Sequence, residues 1–448
     1  MKIVRGYAKA KEILSRASSL DMEDAPPQVQ AKIREVFGES LTPAQVVGRI
    51  LEKVWLEGDS ALLELTRQLE GIELKALEVT PQEIAAATKK VPPALIEALT
   101  LASYRIKEFH EASLPRTWMS FQKGYGELVI PMHRVGLYIP GGTAAYPSSV
   151  LMTAIPARVA GVREVILATP AHNGVAIDPA VLAAANIAGV DRVFRIGGAQ
   201  AIAAMAYGTA TVPKVDIVCG PGNIFVTLAK KLLAGNVGVD GIYGPTETLV
   251  IADETAYPSL CAADLLAQAE HDIMAMPIII TTSERLAKEV KTEVEKQLLT
   301  LERGEIARFS IEKRGHILIV DTLEEAIELA NYFAPEHLCI MVKEPWGYLS
   351  QVKNAGGVFI GEFSPEVMGD YVAGPSHVMP TGGTARFASP MGVHTFLKRT
   401  ALVALGPETF RELSKAASLL GRAEGFTGHA KAVEIRTQLL DSSKGGTL

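Results

Sequence analysis

From about residue 135 onwards, short apolar runs alternate with longer Ala-rich stretches. Each run ends near Gly or Pro, and a stretch of helix-forming residues follows it. This alternation indicates a parallel β-sheet covered by helices, because parallel strands need a crossover connection. Strands are predicted at 135–139, 164–168, 192–196 and 216–219. Helices are predicted to begin at Pro147, at Pro179 with Asp178 as its cap, at Ala199 and at Asn223.

A second α/β unit is predicted from residue 248 onwards. Its strands are expected at 248–252, 277–280, 316–320 and 338–342. The charged stretch 283–301 predicts a long helix between the second and third of these strands. Thr322 and Glu325 have the spacing of a capping box and are expected to open a further helix.

Helical patterns dominate both ends of the chain. Apolar residues recur at three- and four-residue spacing in Val46, Val47, Ile50, Leu51 and Val54, which predicts an amphipathic helix. We expect this N-terminal helical region to pack on a sheet that later sequence supplies. Residues 392–448 are also predicted to be mostly helical.

Length and composition describe an ordinary globular protein. The 448 residues exceed what one hydrophobic core holds, so at least two domains are expected. A formal charge of −6, with scattered Lys and Arg, offers no basic surface for a nucleic acid. No apolar run is long enough to span a bilayer, and the N-terminus lacks signal-peptide features, so a cytoplasmic protein without a membrane partner is expected. The three widely spaced cysteines suit reduced thiols.

Three of the predicted strands end in glycine-rich segments. These are Pro140-Gly-Gly142, Gly197-Gly-Ala-Gln200 and Cys219-Gly-Pro-Gly-Asn223. Glycine lets the backbone approach a ligand, and the helix N-termini behind such loops present free amides to phosphate. The loops are equally compatible with tight strand-to-helix turns. Because the chain has no Gly-x-Gly-x-x-Gly motif, a nucleotide site here would be a variant of the usual one.

Gln268 and His271 are candidate metal ligands. In a helix, residues three apart share a face, so the amide and the imidazole could aim at one point. Two ligands are not a complete zinc site, so further ligands would have to come from distant parts of the chain. A solvent-exposed helix end explains the same stretch.

Two later segments carry further polar residues in constrained or irregular sequence. Glu336 and His337 follow Pro335 and precede an apolar strand, which places them in a turn. The long irregular segment 361–387 contains Asp370 and His377, and long loops in compact proteins are usually functional.

Taken in order, these motifs resemble the histidinol dehydrogenase family over nearly the whole chain. They are Gly-Leu-Tyr-Ile-Pro-Gly-Gly142, Gly-Gly-Ala-Gln200, Cys-Gly-Pro-Gly-Asn223, Gln-Ala-Glu-His271-Asp, Ala-Pro-Glu-His337, Gly-Asp370-Tyr, Ala-Arg-Phe387 and Ala-Glu424 with His429. The resemblance implies an α/β fold with two incomplete Rossmann-like domains, of the aldehyde-dehydrogenase-like type. It also implies four segments: an N-terminal helical arm (1–35), a catalytic and metal-binding domain (36–137 with 248–391), an NAD-binding domain (138–247) and a C-terminal dimerisation tail (392–448).

The resemblance further implies the reaction and its residues. L-Histidinol would be oxidised to L-histidine through a bound aldehyde, in the last steps of histidine biosynthesis, with two NAD molecules used in turn. Zinc would be held by Gln268, His271 and Asp370, with His429 contributed by the second subunit of a homodimer. His337 would be the base of the alcohol step and Glu336 would activate water in the aldehyde step.

The remaining contacts also follow from the resemblance. Tyr138, Gln200 and Asn223 match contacts to NAD. Substrate would be contacted by Thr246, His377 and Glu424, in addition to the zinc ligands and His337.

Four positions depart from the family pattern, and they bear on the substrate rather than the reaction type. They are Thr246 for Ser, Tyr243 for a small residue, Ser376 for Asn and Gly428 for Ala. A related zinc- and NAD-dependent dehydrogenase that acts on another polar alcohol is therefore an alternative, as is a non-catalytic nucleotide- or metal-binding protein. Cys219 and Cys339 could suggest a thiol nucleophile, but small buried side chains are the favoured interpretation.

Overall fold

The computed structural model describes residues 1–16, 27–141, 145–171 and 176–442. The chain divides into two compact units. The first comprises Met1–Ser113 with Met132–Phe396, and the second comprises Leu114–Pro131 with Leu397–Leu448. No helix in the described ranges is long and apolar enough to cross a membrane.

The strands of the described residues are β1 (Lys2–Arg5), β2 (Glu78–Val79), β3 (Trp118–Ser120), β4 (Tyr125–Pro131), β5 (Arg134–Tyr138), β6 (Glu164–Thr169), β7 (Arg192–Arg195), β8 (Ile217–Cys219), β9 (Gly238–Val239), β10 (Glu247–Ala252), β11 (Met276–Thr281), β12 (His316–Ile319), β13 (His337–Met341), β14 (Gly357–Ile360) and β15 (Leu397–Val403). The α-helices are α1 (Tyr7–Ile13), α2 (Pro27–Phe37), α3 (Pro43–Glu57), α4 (Asp59–Leu65), α5 (Pro81–Thr88), α6 (Pro93–Ala112), α7 (Pro147–Val159), α8 (Pro179–Ile187), α9 (Gly198–Tyr207), α10 (Ile224–Leu233), α11 (Pro258–Ala269), α12 (Glu284–Gln297), α13 (Gly304–Lys313), α14 (Leu323–Phe333), α15 (Glu366–Tyr371), α16 (Pro407–Ala423) and α17 (Thr427–Ser442). A π-helical turn, Thr66–Glu70, continues α4.

The first unit contains two six-stranded sheets of similar topology. One sheet, here called the N-sheet, has the order β2-β7-β6-β5-β8-β9, and its strands are parallel except for the antiparallel edge strand β2. The other, the C-sheet, is entirely parallel, with the order β1-β12-β11-β10-β13-β14. In each, the chain winds outwards from a central strand, β5 or β10, first to one side and then to the other. This is the order of a Rossmann-like doubly wound sheet, and it confirms the predicted fold class.

The predicted strands and helices of both sheets are confirmed, and their boundaries differ by one or two residues except at the end of the helix predicted at 283–301. There α12 ends at Gln297, and Leu298–Thr300 form a 3-10 turn. The N-terminal helical region packs as expected. The apolar face of α3 shares one buried core with N-sheet residues, among them Ile166, Ala168 and Phe194. Thr42 caps α3 in a reciprocal capping box with Gln45.

The ends of the chain differ from the helical pattern of the sequence. Lys2–Arg5 form an edge strand of the C-sheet, paired in parallel with β12. The run is only four residues long and mostly exposed, so its partner strand rather than its own pattern makes it β-structure. In the second unit, β15 pairs antiparallel with β4 and adds a strand before helices α16 and α17.

Candidate active site

The predicted catalytic residues and the predicted substrate contact Thr246 lie at the amino ends of two neighbouring C-sheet strands. Thr248 of β10 is in register with His337, the first residue of β13. The residues just before each strand, Thr246 and Glu336, therefore come to the same edge. Helix α11 runs back from the far end of β10, which returns Gln268 to this edge. The rule that ligands bind at carboxyl ends of strands does not cover these residues.

The Thr246 hydroxyl connects two of them. Its Oγ1 lies 2.8 Å from Gln268 Oε1 and 2.5 Å from Glu336 Oε2. A threonine hydroxyl has a single hydrogen to donate, so it can satisfy only one of these two acceptors at a time. The other acceptor remains able to bind a different partner.

Glu336 is a buried carboxyl with few contacts. It is 8% exposed, and its Oε2 also accepts a hydrogen bond of 3.1 Å from the Glu247 N–H. Burial raises its pKa to about 7, although the neighbouring His337 and the two hydrogen bonds oppose the shift. A carboxyl poised near neutrality can hold or release a proton at physiological pH.

His337 lies between the backbone and a second carboxylate. Its Nδ1 is 3.3 Å from the Glu247 carbonyl oxygen, which only accepts, so Nδ1 carries the hydrogen. Its Nε2 is 3.5 Å from Asp370 Oδ1 and has no hydrogen-bond partner among the described residues. Burial alone would lower the pKa of His337, but the carboxylates of Glu336, Glu366 and Asp370 outweigh burial and raise it to about 10.

Asp370 is surrounded by imidazoles. Burial alone would raise its pKa, but three neighbouring rings outweigh burial and lower the pKa. The rings belong to His337, His377 and His271. The Asp370 carboxylate is therefore charged and central to the cluster.

His377 joins the two sheets of the first unit. Its Nδ1 donates to the Asp370 carbonyl oxygen at 2.8 Å, so its Nε2 accepts from the Ser149 hydroxyl at 3.0 Å. Burial lowers the pKa of His377, which favours this neutral form. Ser149 is near the start of α7, behind the loop that follows N-sheet strand β5. The amino edge of the C-sheet thus contacts the carboxyl edge of the N-sheet.

The candidate metal ligands Gln268 and His271 differ in their surroundings. Gln268 is the second-last residue of α11 and is 1% exposed. His271 was predicted to continue that helix, but the helix ends at Ala269 and His271 lies in the turn that follows, exposed to solvent. Its N–H still donates to the Gln268 carbonyl oxygen at 3.2 Å, so the two residues stay close.

The residues of the first unit fit part of a zinc site. Gln268 Oε1 is an oxygen that shares its only donor with Glu336, and Asp370 is a charged carboxylate beside His271. Together they offer the mixed nitrogen and oxygen donors that zinc accepts. In the described residues no group of three or more His, Cys, Asp and Glu side chains is arranged to hold a metal. The proposed set has only two such residues in this unit, together with the amide.

The residues predicted to bind NAD lie at the carboxyl edge of the N-sheet. Tyr138 ends β5, is 3% exposed and accepts a hydrogen bond of 3.1 Å from the Gly198 N–H. Gln200, in the first turn of α9, is 1% exposed and donates to Glu70 Oε1 at 3.2 Å. Asn223 is exposed and caps α10 by accepting from the Phe225 and Val226 N–H groups. Gly142, in the glycine-rich segment that follows β5, lies outside the described residues.

A buried ion pair supports the loop before Asn223. Lys230 and Asp240 are 2.5 Å apart, with side chains only 2% and 1% exposed. Lys230 donates to the Gly220 carbonyl oxygen at 3.0 Å, and Asp240 accepts from the Gly220 N–H at 2.8 Å. The Tyr243 hydroxyl donates to Asp240 at 3.0 Å. Tyr243, one of the departures from the family pattern, therefore completes a support of this loop.

One of the other departures also has a structural explanation, and one does not. Ser376 is 1% exposed, donates to the Met152 carbonyl oxygen at 3.1 Å and accepts from the Val378 N–H at 3.2 Å. It fixes the loop that carries His377. Gly428 lies in the second unit, and an added Cβ there would meet nothing within 4 Å, so nothing in that unit demands a glycine.

Glu424 and His429 belong to the second unit. Glu424 follows α16 and His429 lies in the first turn of α17, and both are exposed. The His429 ring packs 5.2 Å from the ring of Phe426. The roles of Glu424 and His429 stay predictions.

Sequence reasoning missed three residues that shape the site. They are Ser149, Glu247 and Asp240, whose partners are distant in sequence or lie in the main chain. The cysteines behave as the favoured interpretation expects. Cys219, Cys261 and Cys339 are free and buried, and burial raises the pKa of each thiol, which disfavours a nucleophilic thiolate.

Comparison with known proteins gives a consistent result. The family model described as histidinol dehydrogenase matches residues 38–437. The chain is 45% identical to histidinol dehydrogenase of Synechococcus sp. over 98% of this chain and 100% of that one. It is 50% identical to the Aquifex aeolicus enzyme of the same name, over 91% and 95%. The crystal structure of histidinol dehydrogenase from Elizabethkingia anophelis aligns with a TM-score of 0.90 at 32% identity, covering 98% of this chain and 99% of that chain.

Proposed function

Because this chain belongs to the histidinol dehydrogenase family and is therefore an oxidoreductase, we propose that it oxidises L-histidinol to L-histidine in histidine biosynthesis, using zinc and NAD. The observation that carries the proposal is the cluster of Glu336, His337 and Asp370 at one edge of the C-sheet. A protein that only binds a nucleotide or a metal has no need of a base and a second carboxyl at this place.

The zinc ligands would be Gln268, His271 and Asp370, with His429 from the partner subunit of a homodimer. The contacts of Gln268 support this role. Its side-chain oxygen competes with Glu336 for the one hydrogen of the Thr246 hydroxyl, so breaking that hydrogen bond to bind a metal costs little free energy. Bound zinc would neutralise the charge of Asp370, which would lower the pKa of His337 towards the range in which Nε2 can accept a proton.

His337 would serve as the base of the alcohol step. The Glu247 carbonyl holds Nδ1–H, so Nε2 is the atom that takes the hydroxyl proton. The oxidant is NAD, two molecules of which are consumed in turn for the four-electron oxidation. Tyr138, Gln200 and Asn223 would place it at the carboxyl edge of the N-sheet, which meets the catalytic edge at Ser149 and His377.

Glu336 would serve in the aldehyde step. In its ionised form it can take a proton from water as the water adds to the aldehyde carbon. The Thr246 hydroxyl and the Glu247 N–H orient its Oε2 for that role. The burial that raises its pKa also makes it a better base once it is ionised.

The homodimer would complete the site. Helices α16 and α17 and the turn between them expose large apolar side chains, which a second copy of the chain would cover. They include Leu413, Leu419, Leu420, Phe426, Ile435 and Leu439. Free, buried cysteines suit the reducing cytoplasm as the place of action.

Incubation of the purified protein with L-histidinol, NAD and zinc tests the proposal. Two NADH should form for each L-histidine produced. Absence of turnover with zinc present would refute the substrate assignment. Turnover of another polar alcohol under the same conditions would favour the related dehydrogenase, to which the substitution at Thr246 points.

A further inference from the structure

Arg16, which follows α1, places its guanidinium inside the first unit. It pairs through both terminal nitrogens with the Glu247 carboxylate, one of these contacts measuring 2.7 Å. It also donates to the Phe333 carbonyl oxygen from Nε at 3.0 Å and from Nη2 at 2.9 Å, and it lies 4.0 Å from the centre of the Phe333 ring. The Glu247 side chain is 4% exposed, and that of Arg16 is 22% exposed.

The two partners of Arg16, Glu247 and Phe333, belong to the segments that hold Glu336 and His337, the two residues proposed to be catalytic and here called the catalytic pair. The main chain of Glu247 donates its N–H to Glu336 Oε2 and accepts from His337 Nδ1. Phe333 ends α14 only three residues before Glu336. Between them, Ala334 adopts φ 53° and ψ 65°, the one non-glycine positive φ in the described part of the chain. The turn that delivers Glu336 is therefore tight, and it begins at the carbonyl that Arg16 holds.

We propose that Arg16 is a positioning residue for the catalytic pair: it ties the start of β10 to the turn before β13 and so fixes the orientation of Glu336 and His337. The inference rests on the proposed function, because it assumes the roles given to these two residues. Only a planar guanidinium can serve a carboxylate and a carbonyl at once from one rigid fork. A third segment joins the same point, since the Gly382 N–H donates to Glu247 at 3.2 Å.

Another ion pair of the same N-terminal segment supplies a matched control. Arg5 pairs with Glu284, but the two side chains are 66% and 49% exposed. Exposed ion pairs of this kind contribute little to the free energy of folding. Arg5→Met and Arg16→Met therefore remove the same group from the same segment, and only the second change reaches the catalytic pair.

Steady-state kinetics with L-histidinol and NAD tests the proposal. Arg16→Met should lower kcat about 10-fold to 100-fold, because small displacements of catalytic groups have effects of this size. KM for L-histidinol should change less than about two-fold, since Arg16 contacts none of the proposed substrate ligands. Arg16→Lys should restore part of kcat. A loss that falls on KM alone, or one that Arg5→Met reproduces, would overturn the proposal.

A double variant separates positioning from folding. Arg16→Met leaves a buried carboxylate unpaired, whereas Arg16→Met with Glu247→Gln does not. If Arg16 positions the pair, the double variant should fold with a normal melting temperature and keep the low kcat. Full recovery of kcat would mean that the unpaired charge, not lost positioning, caused the defect, and the proposal would fall.

A readout without turnover keeps this inference distinct from the proposed function. The ¹⁵N resonance of His337 Nδ1, assigned with a His337→Gln variant, reports its hydrogen bond to the Glu247 carbonyl. Arg16→Met should shift that resonance and Arg5→Met should not. An unchanged resonance would overturn the positioning role whatever the substrate is, whereas absence of turnover by the unmodified enzyme would count only against the proposed function.

Discussion

Glu70 allows a quantitative prediction at the proposed cofactor side of the molecule. This residue ends the π-helical turn after α4 and lies beneath the turn at Gly197, with its Oε1 accepting from Gln200 Nε2 at 3.2 Å. Its Oε2 is buried without a hydrogen-bond partner among the described residues, as is Gln200 Oε1. Burial raises the pKa of Glu70 to about 7, against a hydrogen bond from the Gly197 N–H.

The sign and size of the pH effect follow from that pKa. A carboxyl whose pKa is higher in the folded state than in the unfolded state binds more protons when folded, so stability falls as pH rises between the two values. With pKa values of 4.5 unfolded and about 7 folded, the destabilisation is about 0.8 kcal/mol at pH 5 and about 3.3 kcal/mol at pH 8. Glu70→Gln removes this pH-dependent destabilisation while keeping the shape of the side chain. Its amide oxygen can accept the same hydrogen bonds, and its amide nitrogen can donate to Gln200 Oε1.

Thermal unfolding at pH 5 and pH 8 measures the difference. The unfolding free energy of Glu70→Gln relative to that of the wild type should rise by about 2.5 kcal/mol from pH 5 to pH 8. For 448 residues the unfolding entropy is about 0.9 kcal/mol per kelvin, so the gain corresponds to about 3 °C in Tm. The control is Glu64→Gln in the preceding helix, where hydrogen bonding to Lys53 lowers the pKa and no gain with pH is expected. Parallel curves for Glu70→Gln and the wild type would show that Glu70 is not a buried carboxyl of raised pKa.

Three further predictions concern the proposed active site. His337→Ala should slow alcohol oxidation about 10² to 10⁴-fold. In a single turnover, Glu336→Gln should form the first NADH at a normal rate and the second more slowly. Equal slowing of both NADH steps in Glu336→Gln would contradict the separate roles proposed for the two residues. In a metal titration, Gln268→Ala should weaken zinc binding less than His271→Ala, because a neutral amide is a poorer zinc ligand than an imidazole; the reverse order would remove Gln268 as the weakest ligand. Mixed dimers of His429→Ala and His337→Ala subunits should regain activity at one of their two sites, and no regain after subunit exchange would argue against a shared site.

The elements of the fold that could be predicted from the sequence are those whose own residues determine them. The C-sheet strand at 276–281 contains a continuous apolar run of five residues, and such runs are typical of parallel strands that are buried on both faces of the sheet. The edge strand Lys2–Arg5 is different, because only its pairing with β12, more than 300 residues away, makes it β-structure. The end of α11 before His271 was missed for a similar reason. Helical spacing continues past Ala269, whereas the chain turns there.

The sequence motifs could identify which residues belong to the candidate site, but not which other residues they contact. Motif order identified His377, yet its partner Ser149 is 228 residues away and has no motif of its own. Glu247 could not be predicted from the sequence because it contacts Glu336 and His337 through its main chain, which carries no side-chain signature. A carboxylate directly after Thr246, the residue proposed to contact substrate, and directly before an apolar strand is nevertheless a usable signal, since a buried carboxylate needs a cationic partner.

The Thr246 hydroxyl explains how two parts of the proposed chemistry can depend on each other. Its oxygen is within hydrogen-bond distance of Gln268 Oε1, a proposed zinc ligand, and of Glu336 Oε2, on the proposed activator of water, and its single hydrogen can go to only one of them. If Gln268 bound zinc through this oxygen, as proposed, the hydrogen would be left to Glu336, where it would favour the ionised form proposed to activate water. If the amide then returned to Thr246, Glu336 would lose that hydrogen bond and its pKa would rise. Threonine in place of serine keeps this hydroxyl, and its methyl group restricts the side-chain rotation about χ1 that would carry the hydroxyl away from either partner. The departure at this position therefore concerns the coupling between ligand and base as much as the fit of the substrate.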